Sequence, residues 1–205
     1  ASNITYATGK FGNAAVFNGS SSQIRNASFL RPISYTVSVW LKSNTTSGER
    51  MAITLNWTGS RRFALGIKDG GIKYQNGDSG WLTIASSFST NTWYNVIATY
   101  DSSTDDYAAF VNGVKTVTGN DTLAQTTLGS GLYLGQFGSN AGYWDGSIDQ
   151  VRIFNTALPQ AAITALYNET TTTATYPYVE YVGANPNSIA YYKMSDATDQ
   201  LGNYN

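Results

Sequence analysis

A chain of 205 residues fits one or two domains, and all-β sandwiches of this size commonly form one. It is 41% hydrophobic, with fifteen tyrosines, eight phenylalanines and five tryptophans, enough to bury a core, so intrinsic disorder is excluded. Twelve Lys+Arg against thirteen Asp+Glu leave a net charge of −1 with no basic patch, which speaks against nucleic acid as a partner.

In chain order, residues 13–18 form the first predicted strand. Tyr35 to Leu41 alternates, with Val37, Val39 and Leu41 on one face. Further strands are predicted at 50–57, 62–67, 71–75 and 81–86. In Trp93–Tyr100, Tyr94, Val96, Ala98 and Tyr100 share a face. Asn112-Gly113, between Tyr107–Val111 and Val114–Val117, supplies the positive φ angles of a type I′ turn and predicts a hairpin. Two more strands are predicted at 131–137 and 147–154. Spacing of about ten residues, with turn signals between, reads as a β-sandwich.

One short helix is predicted at 159–167. Pro159 suits its first turn, and Ile163, Leu166 and Tyr167 share a face that would plug one end of the sandwich. The threonine run from Asn168 to Pro177 opens a linker or surface loop over 168–188. Strand character resumes at 189–194, where Ile189, Tyr191 and Lys193 alternate with Ala190, Tyr192 and Met194.

The catalytic inventory is thin. There is no cysteine and no histidine, which removes disulfides, thiolate chemistry and the commonest general base. The glutamates are Glu49, Glu169 and Glu180, and no paired-carboxylate strand of the glycosidase kind occurs. An enzyme is not expected. No apolar run approaches the ~20 residues of a membrane-spanning helix, so no membrane insertion is expected either.

The segment Asp145-Gly-Ser-Ile-Asp-Gln-Val-Arg-Ile-Phe154, followed by Asn155-Thr-Ala-Leu-Pro159 and a helix ending Ala165-Leu-Tyr167, resembles the closing signature of laminin G-like domains. These belong to the concanavalin A-like lectin/glucanase superfamily. Gly9–Gly19, Tyr35–Lys42, Thr92–Asp101 and Val111–Gly113 match in order, so the resemblance spans about residues 9–167. It implies an all-β, two-sheet antiparallel jelly-roll sandwich with one short helix, often calcium-bound and mostly used to recognise glycans or proteins. Residues 1–167 are then the sandwich.

The family's opening piece, a strand followed by an Asp-x-x-Gly-Asn loop, resembles residues 189–205 at the far end of this chain. A unit of a tandem array, a circular permutant, and a subunit completing its neighbour head-to-tail all fit that order. A sandwich without its opening strand has an unpaired edge, so the tail is expected to complete this sandwich or the next.

Asp149 has the parity of Val151 and Ile153, which are expected to face inward, and an inward carboxylate needs a partner or a metal. The resemblance implies a structural calcium site of Asp149, Asp199 and a backbone oxygen near Asn203. The alternative is a rim aspartate bonded to backbone or to Arg152. For a glycan, aromatic faces beside polar groups are needed. Trp57, Trp81, Tyr143 and Trp144 flank turn-like segments, with Arg61 and Arg62 close to Trp57. The expected function is non-catalytic recognition, of glycan or a surface protein, at an extracellular, cell-surface or virion-surface location. The alternative is a structural repeat of a fibre or coat, self-associating through its edges.

Overall fold

In a computed structural model, the residues described are 1–56, 62–77, 80–121, 130–138, 141–169, 188–192 and 194. Fourteen strands among them form two antiparallel sheets. The larger contains β1 (Thr5–Thr8), β2 (Asn13–Asn18), β4 (Tyr35–Ser43), β9 (Tyr94–Asp101), β10 (Asp106–Val111), β11 (Val114–Asn120), β13 (Asp145–Phe154) and β14 (Ser188–Tyr192). Its order is β1-β2-β13-β4-β9-β10-β11, with β14 also on β13. The smaller sheet contains β3 (Ile24–Leu30), β5 (Arg50–Leu55), β6 (Phe63–Lys68), β7 (Gly71–Asn76), β8 (Trp81–Ala85) and β12 (Ser130–Leu134), in the order β3-β12-β5-β6-β7-β8.

Alternation decides which residues meet between the sheets. Tyr35, Val37, Val39 and Leu41 of β4 face Ile53, Leu55, Phe63 and Leu65 of the smaller sheet in one core cluster. Asn112 and Gly113 both have positive φ and close the predicted β10–β11 hairpin. Asn56, at φ 60°, ends β5 short of the predicted 57. Gly135, at φ 82°, ends β12 three residues before the predicted 137.

β1 and β3 were not expected from the sequence. β1 is a fully exposed edge strand, without an apolar face to betray it. In β3 the Asn26 side chain accepts the backbone N–H groups of Ser28 and Phe29, and this local turn breaks the alternation.

The helix α1 (Gln160–Tyr167) starts after Pro159, whose carbonyl accepts from the N–H groups of Ala162 and Ile163. It does not plug an end of the sandwich. Ile163 and Leu166 pack on Ile97, Phe110 and Phe154, so the helix lies on the outer face of the larger sheet. The reason is local: these three strand residues point away from the inter-sheet core and need cover of their own.

β13 pairs with β4 along one edge. On its other edge β2 takes Asp145–Ile148 and β14 takes Val151–Phe154. The tail strand, placed at 188–192 rather than 189–194, therefore extends the sheet of its own chain. Met194 is buried in the same core.

Candidate functional site

Asp149 sits where β13 bulges. Its register against β4 slips between Asp149 and Arg152, and Gln150 takes φ 50°. The extra residue changes the parity. Ile148 and Val151 both reach the core, while Asp149, opposite Trp40, lies on the outer face of the larger sheet. The inward placement expected from simple alternation is thus corrected.

Asp149 is nevertheless 0% exposed. The 9–12 turn folds over it: the Phe11 N–H donates to Oδ2 at 3.0 Å and Gln150 Nε2 donates to Oδ1 at 3.1 Å. A Cβ on Gly9 would stand 2.6 Å from Oδ2, so the turn needs glycine there. Burial pushes the carboxyl up to about 6, against the opposing pull of the N–H donors of Phe11, Gln150 and Lys10. Arg152 does not pair with it; its guanidinium, 2% exposed, donates twice to Glu169 at 2.8 Å. Nearby, Trp40 stacks on Tyr167 at 5.9 Å.

The outer face of the smaller sheet is built differently. One register row crosses all six strands: Arg25, Tyr133, Thr54, Ala64, Gln75 and Trp81. The segment after β12 leaves the sheet at Gly135 and runs over the middle of this face. Thr54 Oγ1 donates to the Gln136 carbonyl, and the Met51 N–H donates to the Gly142 carbonyl. This arm, described at 135–138 and 141–143, divides the face in two.

On one side Phe137 lies against Trp81, with ring centroids 6.1 Å apart and planes 30° apart. Arg62 approaches Phe137 and Lys68 approaches Trp81, at 6.0 and 5.8 Å from the ring centroids. Glu49 pairs with Lys68, and Lys73 Nζ donates to Thr83 Oγ1 at 2.8 Å. On the other side is a pocket of about 340 Å³ between Gln23, Arg25, Tyr133 and Gln136. Arg25 rests over the Tyr133 ring at 5.2 Å, and Gln136 Nε2 donates to Gln23 Oε1. Gln136 is 1% exposed, and its Oε1 has no hydrogen-bond partner among the described residues. Leaving such an acceptor unmet costs about 1–3 kcal/mol.

Of the residues the sequence proposed for a ligand, Trp81 is half-buried on this face and Tyr143 is half-buried on the arm. Trp144 is corrected: it is 0% exposed and belongs to the core, because residues 143 and 144 alternate like a strand. Trp57, Arg61, Asp199 and Asn203 lie outside the described residues. Arg62, noted beside Trp57 in the sequence, lies by Phe137; Phe137, Arg25, Tyr133 and Gln136 were missed. Parity within β12 was enough to turn Tyr133 outward, but Phe137 and Gln136 depend on an arm that the sequence reads as strand.

Two antiparallel sheets packed face to face, with a closing strand that runs into a helix on the outer flank, define a concanavalin A-like jelly roll. A laminin G family model, described as concanavalin A-like lectin/glucanases superfamily, matches residues 16–164, and the chain belongs to that family. No curated protein sequence matches it significantly. Domain 4 of AbnA, an extracellular arabinanase from Geobacillus stearothermophilus solved with arabinotriose, is 26% identical, with a TM-score of 0.69 over 82% of each chain. The CBM40 of the IT-sialidase of Ruminococcus gnavus, bound to α2,3-sialyllactose, is 16% identical with a TM-score of 0.57, over 67% of this chain and 84% of that one. A heptameric SAP-like pentraxin from Limulus polyphemus is likewise 16% identical, with a TM-score of 0.62 over 77% and 82%.

Proposed function

We propose that this chain is a non-catalytic carbohydrate-binding module working outside the cell, on a cell or virion surface, and that it holds glycan on the outer face of its smaller sheet. The observation that carries this reading is the Trp81–Phe137 pair, half-buried and set among Arg62, Lys68, Lys73 and Gln75. Sugar rings present C–H faces to aromatic rings and hydroxyl rims to amides and charged groups, and this face has both. The arabinanase domain and the sialidase module, each solved with a sugar, support the same reading. Glu49 and Glu169 are engaged with Lys68 and Arg152, which favours binding over hydrolysis. The structural alternative loses its main motive, because β14 fills the edge of β13 within the chain and exchange with a neighbour is not needed there.

A glycan array on the intact chain tests the proposal. Binding to a defined glycan set, lost in Trp81→Ala, is expected; no binding above background, or binding indifferent to Trp81→Ala, would overturn it.

Calcium is proposed in a structural role. Asp149 offers a buried carboxylate whose described donors are all uncharged N–H groups, which suits an added cation. Among the described residues no group of three or more acidic, histidine or cysteine side chains gathers. The remaining oxygens would come from Asp199 and near Asn203. Bound calcium would supply the positive charge that the buried carboxylate lacks. Chelator is expected to lower the melting temperature of wild type and to leave Asp149→Asn unmoved.

A further inference from the structure

We infer that the pocket between Gln23, Arg25, Tyr133 and Gln136 is a subsite for a sugar carboxylate, and that the glycans taken by this face are acidic. The inference rests on the glycan-binding reading above and names its ligand class.

Three observations converge. Gln136 lines the pocket, is 1% exposed, and keeps a covered Oε1 without a donor among the described residues, an unmet acceptor in the pocket wall that a ligand hydroxyl reaches only once the amide turns. Its Nε2 is already given to Gln23 Oε1, which turns the two amides into one fixed unit with donor and acceptor capacity left over.

Arg25 supplies the charge. It is exposed, and the Tyr133 ring beneath it at 5.2 Å steadies the guanidinium without using its N–H donors. Those donors match a carboxylate two at a time, with a charge assistance that neutral sugar hydroxyls do not give.

The third observation is the field. Arg25, Arg62, Lys68 and Lys73 stand on the outer face of the smaller sheet, and the described carboxylates beside them, Glu49 and Asp69, both act on Lys68, while the chain as a whole carries −1. A cationic face on a near-neutral protein draws anionic ligands and suppresses cationic ones. The volume, about 340 Å³, falls at the small end of ligand pockets, roughly 300–1,000 Å³. Gln136 and Phe137 are adjacent on the arm, so the pocket and the Trp81 side flank the same arm. A uronic or sialic acid residue, with one carboxylate and several hydroxyls, meets all of these demands.

The test is calorimetry on the intact chain with short oligogalacturonates, hyaluronan oligosaccharides and sialyllactose. Each is paired with its methyl-esterified or carboxyl-reduced counterpart, at low and at physiological salt. At least one acidic probe is expected to bind about tenfold tighter than its neutral counterpart, as charge-assisted bonds imply, with the ratio shrinking as salt rises. Arg25→Gln is expected to bring that ratio close to one, with the melting temperature unchanged and the neutral counterpart losing far less affinity than the acidic probe. In wild type the Gln136 side-chain amide resonances should shift on titration. Binding without carboxylate preference, or a preference that survives Arg25→Gln, overturns the pocket and leaves the glycan reading standing. Failure of every acidic probe while neutral glycans bind on the array also overturns this inference alone. Failure on both removes the two together.

Discussion

On the outer face of the larger sheet, Ile97, Phe110 and Phe154 lie under α1 and Arg152 is held by Glu169, whereas on the smaller sheet Trp81, Lys73 and Arg25 remain wholly or partly open to solvent. Both faces carry aromatic and charged side chains, so residue type alone does not separate them. What separates them is cover. The helix and the 9–12 turn bury one face and force its charges into partnerships; a single arm crosses the other and leaves a pocket beside it. Substitutions on the covered face should therefore be read in stability, and those on the open face in binding.

The largest break in that contrast is expected from Glu169→Ala. It would take the carboxylate away from a nearly buried guanidinium and leave Gln150 Oε1 as its described acceptor, at a cost of up to about 3–5 kcal/mol, visible in urea denaturation. A loss below about 1 kcal/mol would mean that the clamp relaxes into water and that the face is not closed.

Asp149→Asn is expected next. In chelated protein the carboxyl titrates near 6 when folded and near the ordinary 3.8 when unfolded. A raised folded value means that its contribution is complete below the unfolded value and is lost as pH rises through about 6. The variant should thus gain on wild type between about pH 4 and pH 7, by up to ~3 kcal/mol at 1.36 kcal/mol per pH unit. A difference between the two that is flat with pH would contradict the burial.

The smallest effect on folding belongs to Trp81→Ala. Its stability should stay within about 1 kcal/mol of wild type, while glycan affinity falls about tenfold, or ~1.4 kcal/mol. The opposite pattern would make Trp81 a covered-face residue in the wrong place.

Much of the sandwich was legible because alternation survives wherever a strand separates core from outside. Tyr35–Leu41 and the Asn112-Gly113 hairpin stand close to where they were expected. Alternation failed at Asp149, where one bulged residue reverses every parity after it, and a bulge leaves no mark that hydrophobic spacing can detect. It also failed at Trp144, because an aromatic beside a turn looks the same whether it points in or out. The open face was the least legible part. Arg25, Tyr133 and Trp81 are far apart in sequence and share a row only through the strand order of the sheet.

The sharing of β13 by β2 and β14 has a consequence for synthesis on the ribosome. One edge of the strand is met by a segment made long before it; the Val151–Phe154 half waits for residues 188–192. Thirty-three residues separate Phe154 from Ser188, so at about 5–20 residues per second the half-strand stays unpaired for roughly 2–7 s after it is made. During that interval the nascent chain carries a short template for any extended segment that passes, including the tail of a neighbour on the same messenger. Crowded translation would then favour swapped pairs that dilute or slow translation would not.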